Sequence, residues 1–197
     1  MSDHDHHDDD HDHHELSWAD ELAQLREAAR HFYLHQFDWK GQDPPPGFDG
    51  PRFFAPNEAW RIAARLDRGA PGAGQPVELA TSSGQIRNMT VAGQLVFSVD
   101  GAEHRLTGFV TRGADGFEVL FIPFRDATSG AETYGAGRYL EVAYAPDEEA
   151  VELDFNYSYN PSCVYSPSYD CPYPPPGNRL ALAVRAGEMM PAVSSEH

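Results

Sequence analysis

Basic residues are scarce in this sequence of 197 residues. Lysine and arginine together number 14, against 31 aspartates and glutamates, so the formal net charge is −17. Because a protein that binds nucleic acid neutralises phosphates with basic side chains, this imbalance argues against nucleic acid as a partner. Long hydrophobic runs are absent as well: no stretch approaches the roughly 20 apolar residues of a membrane-spanning helix, and the acidic start does not resemble an export signal. We therefore expect a cytoplasmic protein with no membrane partner.

Nucleotide-binding glycine patterns are also absent. No candidate strand is followed by a Rossmann or P-loop motif, which disfavours dinucleotide and nucleoside-triphosphate enzymes. Hydrophobic residues make up 41% of the chain and aromatic residues 12%, enough for a sizeable core. We predict one β-rich domain over residues 16–190, preceded by a tail at 1–15 and followed by a flexible C-terminus at 191–197.

The tail is the most biased part of the sequence. It has no apolar residue after Met1 and is predicted to be disordered, because it cannot offset the entropy lost on ordering. Its imidazoles lie among carboxylates and offer ligands for Zn, Ni, Co or Cu. The candidate ligands are His4, His6, His7, His11, His13 and His14. The alternative is a solubilising tail with no metal-binding role.

A helix is predicted from Ser17 to about Phe37. Ser17 can cap its first turn, and the apolar residues that follow repeat at helical spacing. His31 and His35 lie four residues apart and would share one face, where they could hold a metal or form a plain surface pair. The next stretch, residues 42–56, is rich in proline and glycine and is predicted to be an irregular loop that aromatic side chains hold down.

After this loop the hydrophobic period changes from helical to alternating. Asp100-Gly101 and Asp115-Gly116 are strong two-residue hairpin turns, and Ala92-Gly93 is a weaker one. We predict an antiparallel barrel or sandwich of about eight to nine strands, with the N-terminal helix packed on it and a long loop rich in proline and tyrosine. The nine candidate strands are Trp60–Leu66, Val77–Ser82, Ile86–Val91, Gln94–Val99, His104–Thr111, Phe117–Pro123, Tyr139–Tyr144, Ala150–Phe155 and Leu180–Arg185.

Two segments interrupt the alternation of strands and turns. Residues 121–139 combine three closely spaced glycines with polar side chains, and residues 153–179 form a connection that is long for a compact domain. If the two segments meet, their polar groups form a site. The candidate ligand-binding residues are Asp126, Thr128, Glu132, Tyr134, Arg138, Asp154 and Asn156.

The only two cysteines, Cys163 and Cys171, fall within the second segment. Eight residues apart in an irregular loop, they could form a disulfide or remain buried thiols. A reducing cytosol disfavours the disulfide. Two thiolates do not complete a zinc site unless His31 and His35 join them in space, and a catalytic cysteine has no histidine in the loop to activate it.

Three functions are consistent with these residues. The first is a binding module, in which Arg138 holds the carboxylate or phosphate of a small ligand between tyrosine walls. The second is a metal-assisted or acid/base hydrolase with Glu132 or Asp154 as the base. The third is a structural role, in which Arg138 forms a buried ion pair with Asp154 or Glu132 and locks the long loop. The sequence indicates no specific cofactor and no oligomeric state.

Three stretches of the sequence resemble a family of bacterial and archaeal proteins, domain of unknown function 1684. They are PGFDGPRFFAPNEAWRIAARL, FIPFRDATSGAETYGAGRYLEV and LDFNYSYNPSCVYSPSYDCPYPPPGNRLALAVRAGE. The resemblance extends from about Asp20 to Glu188 and excludes the tail. It implies that the following residues occupy the family's own motif positions: Asp126, Thr128, Gly130, Glu132, Thr133, Tyr134, Gly137, Arg138, Asp154, Asn156, Asn160, Cys163, Cys171, Asn178 and Glu188. It implies no activity.

Overall fold

The computed structural model describes residues 16–113 and 116–192. Helix α1 covers Trp18–His35, and the Ser17 hydroxyl caps it by accepting a hydrogen bond from the Asp20 amide at 3.2 Å. The helix ends two residues before the predicted Phe37, because the amides of Gln36 and Phe37 both donate to the Phe32 carbonyl and close the last turn. Within the described ranges, no helix is both long and apolar enough to cross a bilayer.

The rest of the fold is one antiparallel sheet that curls into a nearly closed barrel. The seven strands of the described residues are β1 (Arg61–Asp67), β2 (Pro76–Ala80), β3 (Ile86–Val99), β4 (Ala102–Arg112), β5 (Glu118–Phe124), β6 (Arg138–Ala143) and β7 (Ala150–Asp154). Their order in the sheet is β6-β5-β4-β3-β1-β7. Strand β2 pairs with the first half of β3, on the same edge of β3 whose second half pairs with β1.

The predicted number of eight to nine strands is too high for two reasons. The weak turn at Ala92-Gly93 is a β-bulge inside the single long strand β3, where Gly93 has φ 155° and a Cβ would lie 2.5 Å from the Asp67 carbonyl oxygen. Residues 180–185 form no ladder. Isolated backbone bonds hold them instead, such as the one from the Ala127 amide to the Leu182 carbonyl at 2.8 Å.

The Asp100-Gly101 turn was predicted correctly. Asp100 and Gly101 have φ values of 49° and 76°, which a type I′ turn requires at both central positions, and they join β3 to β4. Of the second predicted turn, Asp115 lies outside the described residues. Its hairpin is nevertheless formed, since Arg112 pairs with Glu118.

Two hydrophobic cores form on opposite faces of the sheet. The inner core fills the barrel and includes Leu95, Leu106, Ile122, Phe124, Leu140 and Phe155. The outer core lies on the other face of β2–β6, under the segment that follows β7, and includes Leu79, Val91, Phe109, Phe121, Tyr139, Cys163 and Cys171. A third cluster joins α1 to the same segment through Tyr33, Phe37, Val164 and Tyr165. The chain after β7 therefore covers the barrel from outside.

Candidate functional site

The two unusual segments meet, as the site prediction requires. Tyr139 and Tyr159 exchange backbone hydrogen bonds of 2.9 Å, and the Tyr139 hydroxyl donates to the Pro172 carbonyl at 2.7 Å. Further along, the Asn178 side-chain amide donates to the carbonyls of Pro123 and Thr107, both at 2.8 Å. Side chains of the two segments can therefore form one site.

Asp126 and Thr128 form a closed polar turn in the first segment. Both side chains are buried, and the Thr128 hydroxyl lies 2.8 Å from Asp126 Oδ1 and 2.8 Å from the Thr133 hydroxyl. Asp126 Oδ2 also accepts a hydrogen bond from the Val184 amide at 2.7 Å. These groups bond to the protein itself and tie the turn to the chain near residue 184.

Arg138 lies at the centre of the buried polar network and is completely inaccessible. Its guanidinium donates to the carbonyls of Val184 at 2.8 Å, Glu188 at 3.0 Å and Ala186, and Nη2 lies 3.4 Å from Asp126 Oδ2. Burial lowers its pKa to about 10, although Asp126 and Glu188 oppose the shift. The arginine thus binds residues 184–188, whose carbonyls would otherwise be buried without partners.

The expected partners of Arg138 were Glu132 or Asp154, and that expectation was wrong. Glu132 is half-buried and pairs with Arg185 at 2.8 Å, a contact that lowers the pKa of Glu132. Asp154 accepts the Trp18 indole N–H at 2.7 Å and lies 3.6 Å from the Arg61 guanidinium. Asp126 takes their place because the turn after β5 brings it directly under the guanidinium.

Asp154 and Asn156 do contact each other, but inside a turn. Asp154 Oδ1 accepts hydrogen bonds from the Asn156 amide and side chain at 2.9 and 2.8 Å. The Asn156 side chain also bonds the backbone of Asn57 in both directions at 2.9 Å. The pair therefore fixes the start of the long segment to the chain that precedes β1.

Glu188 is a buried carboxyl whose pKa is shifted by its surroundings, and the site prediction did not include it. Burial raises its pKa to about 7, against opposing hydrogen bonds from the Asn160 amide at 2.8 Å and the Tyr165 hydroxyl at 3.1 Å. Its match to a family motif position was the only indication of its importance in the sequence. The structure places it beside Arg138 in the same closed network.

The cysteines are buried as thiols, and the disulfide expected as one alternative is not formed. The two thiols interact directly, and this contact, together with burial, raises the pKa of Cys171. Tyr134 lies beside them; its pKa is raised by burial and by Cys163. The protonated pair packs in the outer core.

A cleft lies between the outer face of the sheet and the chain after β7, residues 155–179, which we call the covering segment. Its volume is about 320 Å³, at the lower end of the range for small-molecule pockets. Met89, Phe121 and Tyr139 form its floor, and Tyr159 and Cys171 line it from the covering segment. Four charged side chains also line it, namely Arg87, Arg112, Glu141 and Asp170. None of the four was predicted.

One feature of the sequence could have revealed the cleft. Strand β5, EVLFIPF, is buried on both faces from Leu120 to Phe124, and a strand with two apolar faces must be covered on both. Pairing of Val91 with Phe109, Phe109 with Phe121 and Phe121 with Glu141 aligns these four residues across the sheet. The row ends in a charge, and the cleft lies at that end.

The histidine predictions have separate outcomes. The tail and its histidines lie outside the described residues. The rings of His31 and His35 lie 4.8 Å apart on the last turns of α1. Among the residues that the structure describes, no cluster of three or more histidine, cysteine, aspartate or glutamate side chains is arranged to hold a metal ion.

Comparison with known proteins places the chain in a family. The family model "Protein of unknown function (DUF1684)" matches residues 46–189. The chain belongs to the DUF1684 family. The match contains every strand, the buried Arg138 network and the cleft, and it begins after α1.

The solution NMR structure of an uncharacterised protein from gene locus rrnAC0354 of Haloarcula marismortui has the same fold. It is 33% identical, the alignment covers 91% of this chain and 96% of that one, and the TM-score is 0.67. No protein with a curated description matches the chain. The DUF1684 fold is therefore shared between this acidic protein and an archaeal relative that has no assigned function.

Proposed function

We propose that this DUF1684 protein is a small-ligand-binding module of the cytoplasm and that its ligand occupies the cleft on the outer face of the sheet. The observation that carries the proposal is the cleft itself, about 320 Å³ in volume and lined by both unusual segments. It combines an aromatic and thioether floor with a few polar groups at its edge, a composition typical of small-molecule sites.

The proposed ligand site includes parts of both predicted segments, but it adds residues of β3 and β4 that lie outside them. Asp126, Thr128 and Arg138 are enclosed, so they support the site from behind rather than contact a ligand. Tyr139 connects the buried network to the cleft. It follows Arg138 directly in the chain, and its ring lies in the cleft floor with its centroid 4.7 Å from that of the Phe121 ring. The buried network thereby holds the floor of the cleft in place.

The contacts of the buried polar residues also support a structural role for them, in addition to ligand binding in the cleft. The Arg138 guanidinium bonds three carbonyls and one carboxylate, and Asn160 binds both Glu188 and the Met189 carbonyl. This network fastens the C-terminal segment to the barrel. The structural alternative had Arg138 lock the long loop at 153–179; its contacts support a lock on residues 184–188 instead, with Asp126 as the paired acid.

Native mass spectrometry of gently purified protein tests the ligand proposal. We expect a co-purifying small molecule in the wild-type protein and its loss in Met89→Trp, because the larger ring fills the cleft floor. The matched control is Ile86→Trp, at an exposed position of the same strand, which should retain the molecule. Equal retention in both variants, or no small molecule bound to any of the three proteins, would contradict the proposal.

A further inference from the structure

The charged groups of the cleft indicate what kind of ligand it accepts. Arg87 contacts Asp170 through a single nitrogen: Nη2 donates to the Asp170 carbonyl at 3.0 Å and lies 3.4 Å from its carboxylate. Among the described residues, Nη2 is the only Arg87 side-chain nitrogen that donates to the protein. The side chain is 47% exposed, so Nη1 and Nε are available for another acceptor.

The two acids that line the cleft already have partners. Asp170 accepts a hydrogen bond from the Ser83 hydroxyl at 2.7 Å in addition to its contact with Arg87. Glu141 accepts the Tyr159 hydroxyl at 2.7 Å. The carboxylates keep acceptor sites, and the donors left in the cleft are mainly the guanidinium groups of Arg87 and of Arg112, whose Nη1 also donates to the Gly116 carbonyl at 3.3 Å.

The uncharged part of the cleft is aromatic. The rings of Phe121, Tyr139 and Tyr159 pack edge to face in sequence, with centroid separations of 4.7 and 5.7 Å. The hydroxyls of both tyrosines bond to protein acceptors, Pro172 and Glu141, so the rings offer mainly their apolar surfaces. An apolar ring can extend this edge-to-face arrangement and excludes water from the floor.

We propose that the cleft binds a small aromatic carboxylic acid, with the ring on the floor formed by Met89, Phe121 and Tyr139 and the carboxylate on the Arg87 guanidinium. Nη1 or Nε can donate a charge-assisted hydrogen bond to the carboxylate in the plane of the guanidinium, which adds orientation to charge. The two arginines of the cleft balance its two acids, so an anion meets no net negative charge there although the whole chain carries −17. The inference rests on the proposed function and specifies its ligand class.

Three probes of the same size separate the contributions: benzoate, the neutral benzamide and the cationic benzylamine. Binding is followed by NMR shift mapping of backbone amides in ¹⁵N-labelled full-length protein. We expect benzoate to shift the amides of Met89, Thr111 and Glu141 and to bind at least tenfold more tightly than either other probe. Benzamide or benzylamine binding as tightly as benzoate would overturn the assignment of an acid while leaving a small-molecule cleft in place.

Variants of Arg87 provide the second readout. Arg87→Gln should weaken benzoate binding at least tenfold and leave benzamide binding within twofold, and Arg87→Lys should fall between Gln and wild type because it retains the charge without the planar fork. The matched control is Arg105→Gln, another exposed arginine of the sheet that pairs with Glu103. Equal losses in Arg87→Gln and Arg105→Gln would overturn the role of Arg87.

Failure of the inference can be told apart from failure of the proposed function. If none of the probes shifts the cleft amides, the acid assignment falls, and the co-purification experiment with Met89→Trp separately decides whether the cleft binds any small molecule. A circular dichroism melt of each Arg87 variant shows whether the covering segment has remained folded, so a loss of binding through misfolding is recognised.

Discussion

Two arginines of this protein have similar neighbours but differ in burial and in the number of acceptors that they bond. Arg138 and Arg87 each lie near an aspartate and aromatic rings, on strands of the same sheet. Arg138 is completely buried and bonds four acceptors, whereas Arg87 is 47% exposed and uses one nitrogen. The comparison shows that residue type alone does not separate an arginine locked into the fold from one with donors left for a ligand. Burial and remaining hydrogen-bonding capacity do.

The largest expected effect comes from making the same substitution at both positions. Arg138→Met leaves the Asp126 carboxylate and three carbonyls buried without their donor, so we expect it to lower the free energy of unfolding by about 3–5 kcal/mol. Arg87→Met removes an exposed side chain and should change it by less than about 0.5 kcal/mol. Urea denaturation of both variants measures the difference. Similar losses of unfolding free energy in the two variants would contradict the distinction between the closed network around Arg138 and the open cleft around Arg87.

The pH dependence of stability tests the closed region through Glu188. Its pKa is about 7 in the folded protein against an ordinary value of 4.5, so the folded state binds more protons between these values. The contribution of Glu188 to stability is therefore complete below pH 4.5 and is lost as the pH rises through 7, by about 3 kcal/mol in total.

Glu188→Gln cannot titrate and isolates this contribution. We expect the difference in unfolding free energy between wild type and variant to change by about 3 kcal/mol from pH 4.5 to pH 8, with the wild type losing stability relative to the variant. Urea denaturation across this range measures it. Parallel curves would show that water reaches the carboxyl group and that the network is not closed.

A smaller effect is expected from the backbone beside Glu188. Gly187 has φ 73°, and a Cβ there would lie 2.8 Å from the Phe155 carbonyl oxygen and closer still to that of Ser158. Gly72 has a similar φ of 87° with nothing within 4 Å of its Cβ position. Both Ala substitutions strain the backbone to a similar degree, so their difference isolates the clash. We expect Gly187→Ala to lower the free energy of unfolding by about 1–3 kcal/mol more than Gly72→Ala does. Equal melting temperatures would mean that residues 184–188 can move away from the barrel.

The sequence predicted the type of fold and the location of the site better than the function of individual side chains. Period-two alternation and the Asp100-Gly101 turn predict an antiparallel sheet from local information. The bulge at Gly93 depends on the carbonyl of Asp67, which is distant in sequence, so the strand count could not be read locally. The partner of Arg138 was missed for the same reason, since Glu132, Asp154 and Asp126 are equivalent acids until the turn after β5 is placed.

The cleft residues were missed because they are unremarkable in sequence. Arg87 and Met89 lie on alternate positions of a strand, and such residues are ordinarily solvent-facing when the opposite face is buried. Only the covering segment, which packs over this face from 70 or more residues further along the chain, turns them into the lining of a cavity. The apolar run of β5 indicates that the outer face is covered, but it does not indicate which residues of β3 the cover reaches.

The smallest expected effect concerns the cysteines, which lie at the boundary between the two regions. Cys163 is 2% exposed and Cys171 8%, and Cys171 alone lines the open cleft. Because Cys163 is enclosed and the raised pKa of Cys171 leaves little thiolate at neutral pH, we expect both thiols to react slowly with a disulfide reagent in the folded protein and completely in urea. Two thiols per chain in urea would establish that the disulfide is absent. Rapid reaction of one thiol in the folded protein would show that a reagent in the cleft reaches the Cys171 sulfur, and benzoate should then slow that reaction.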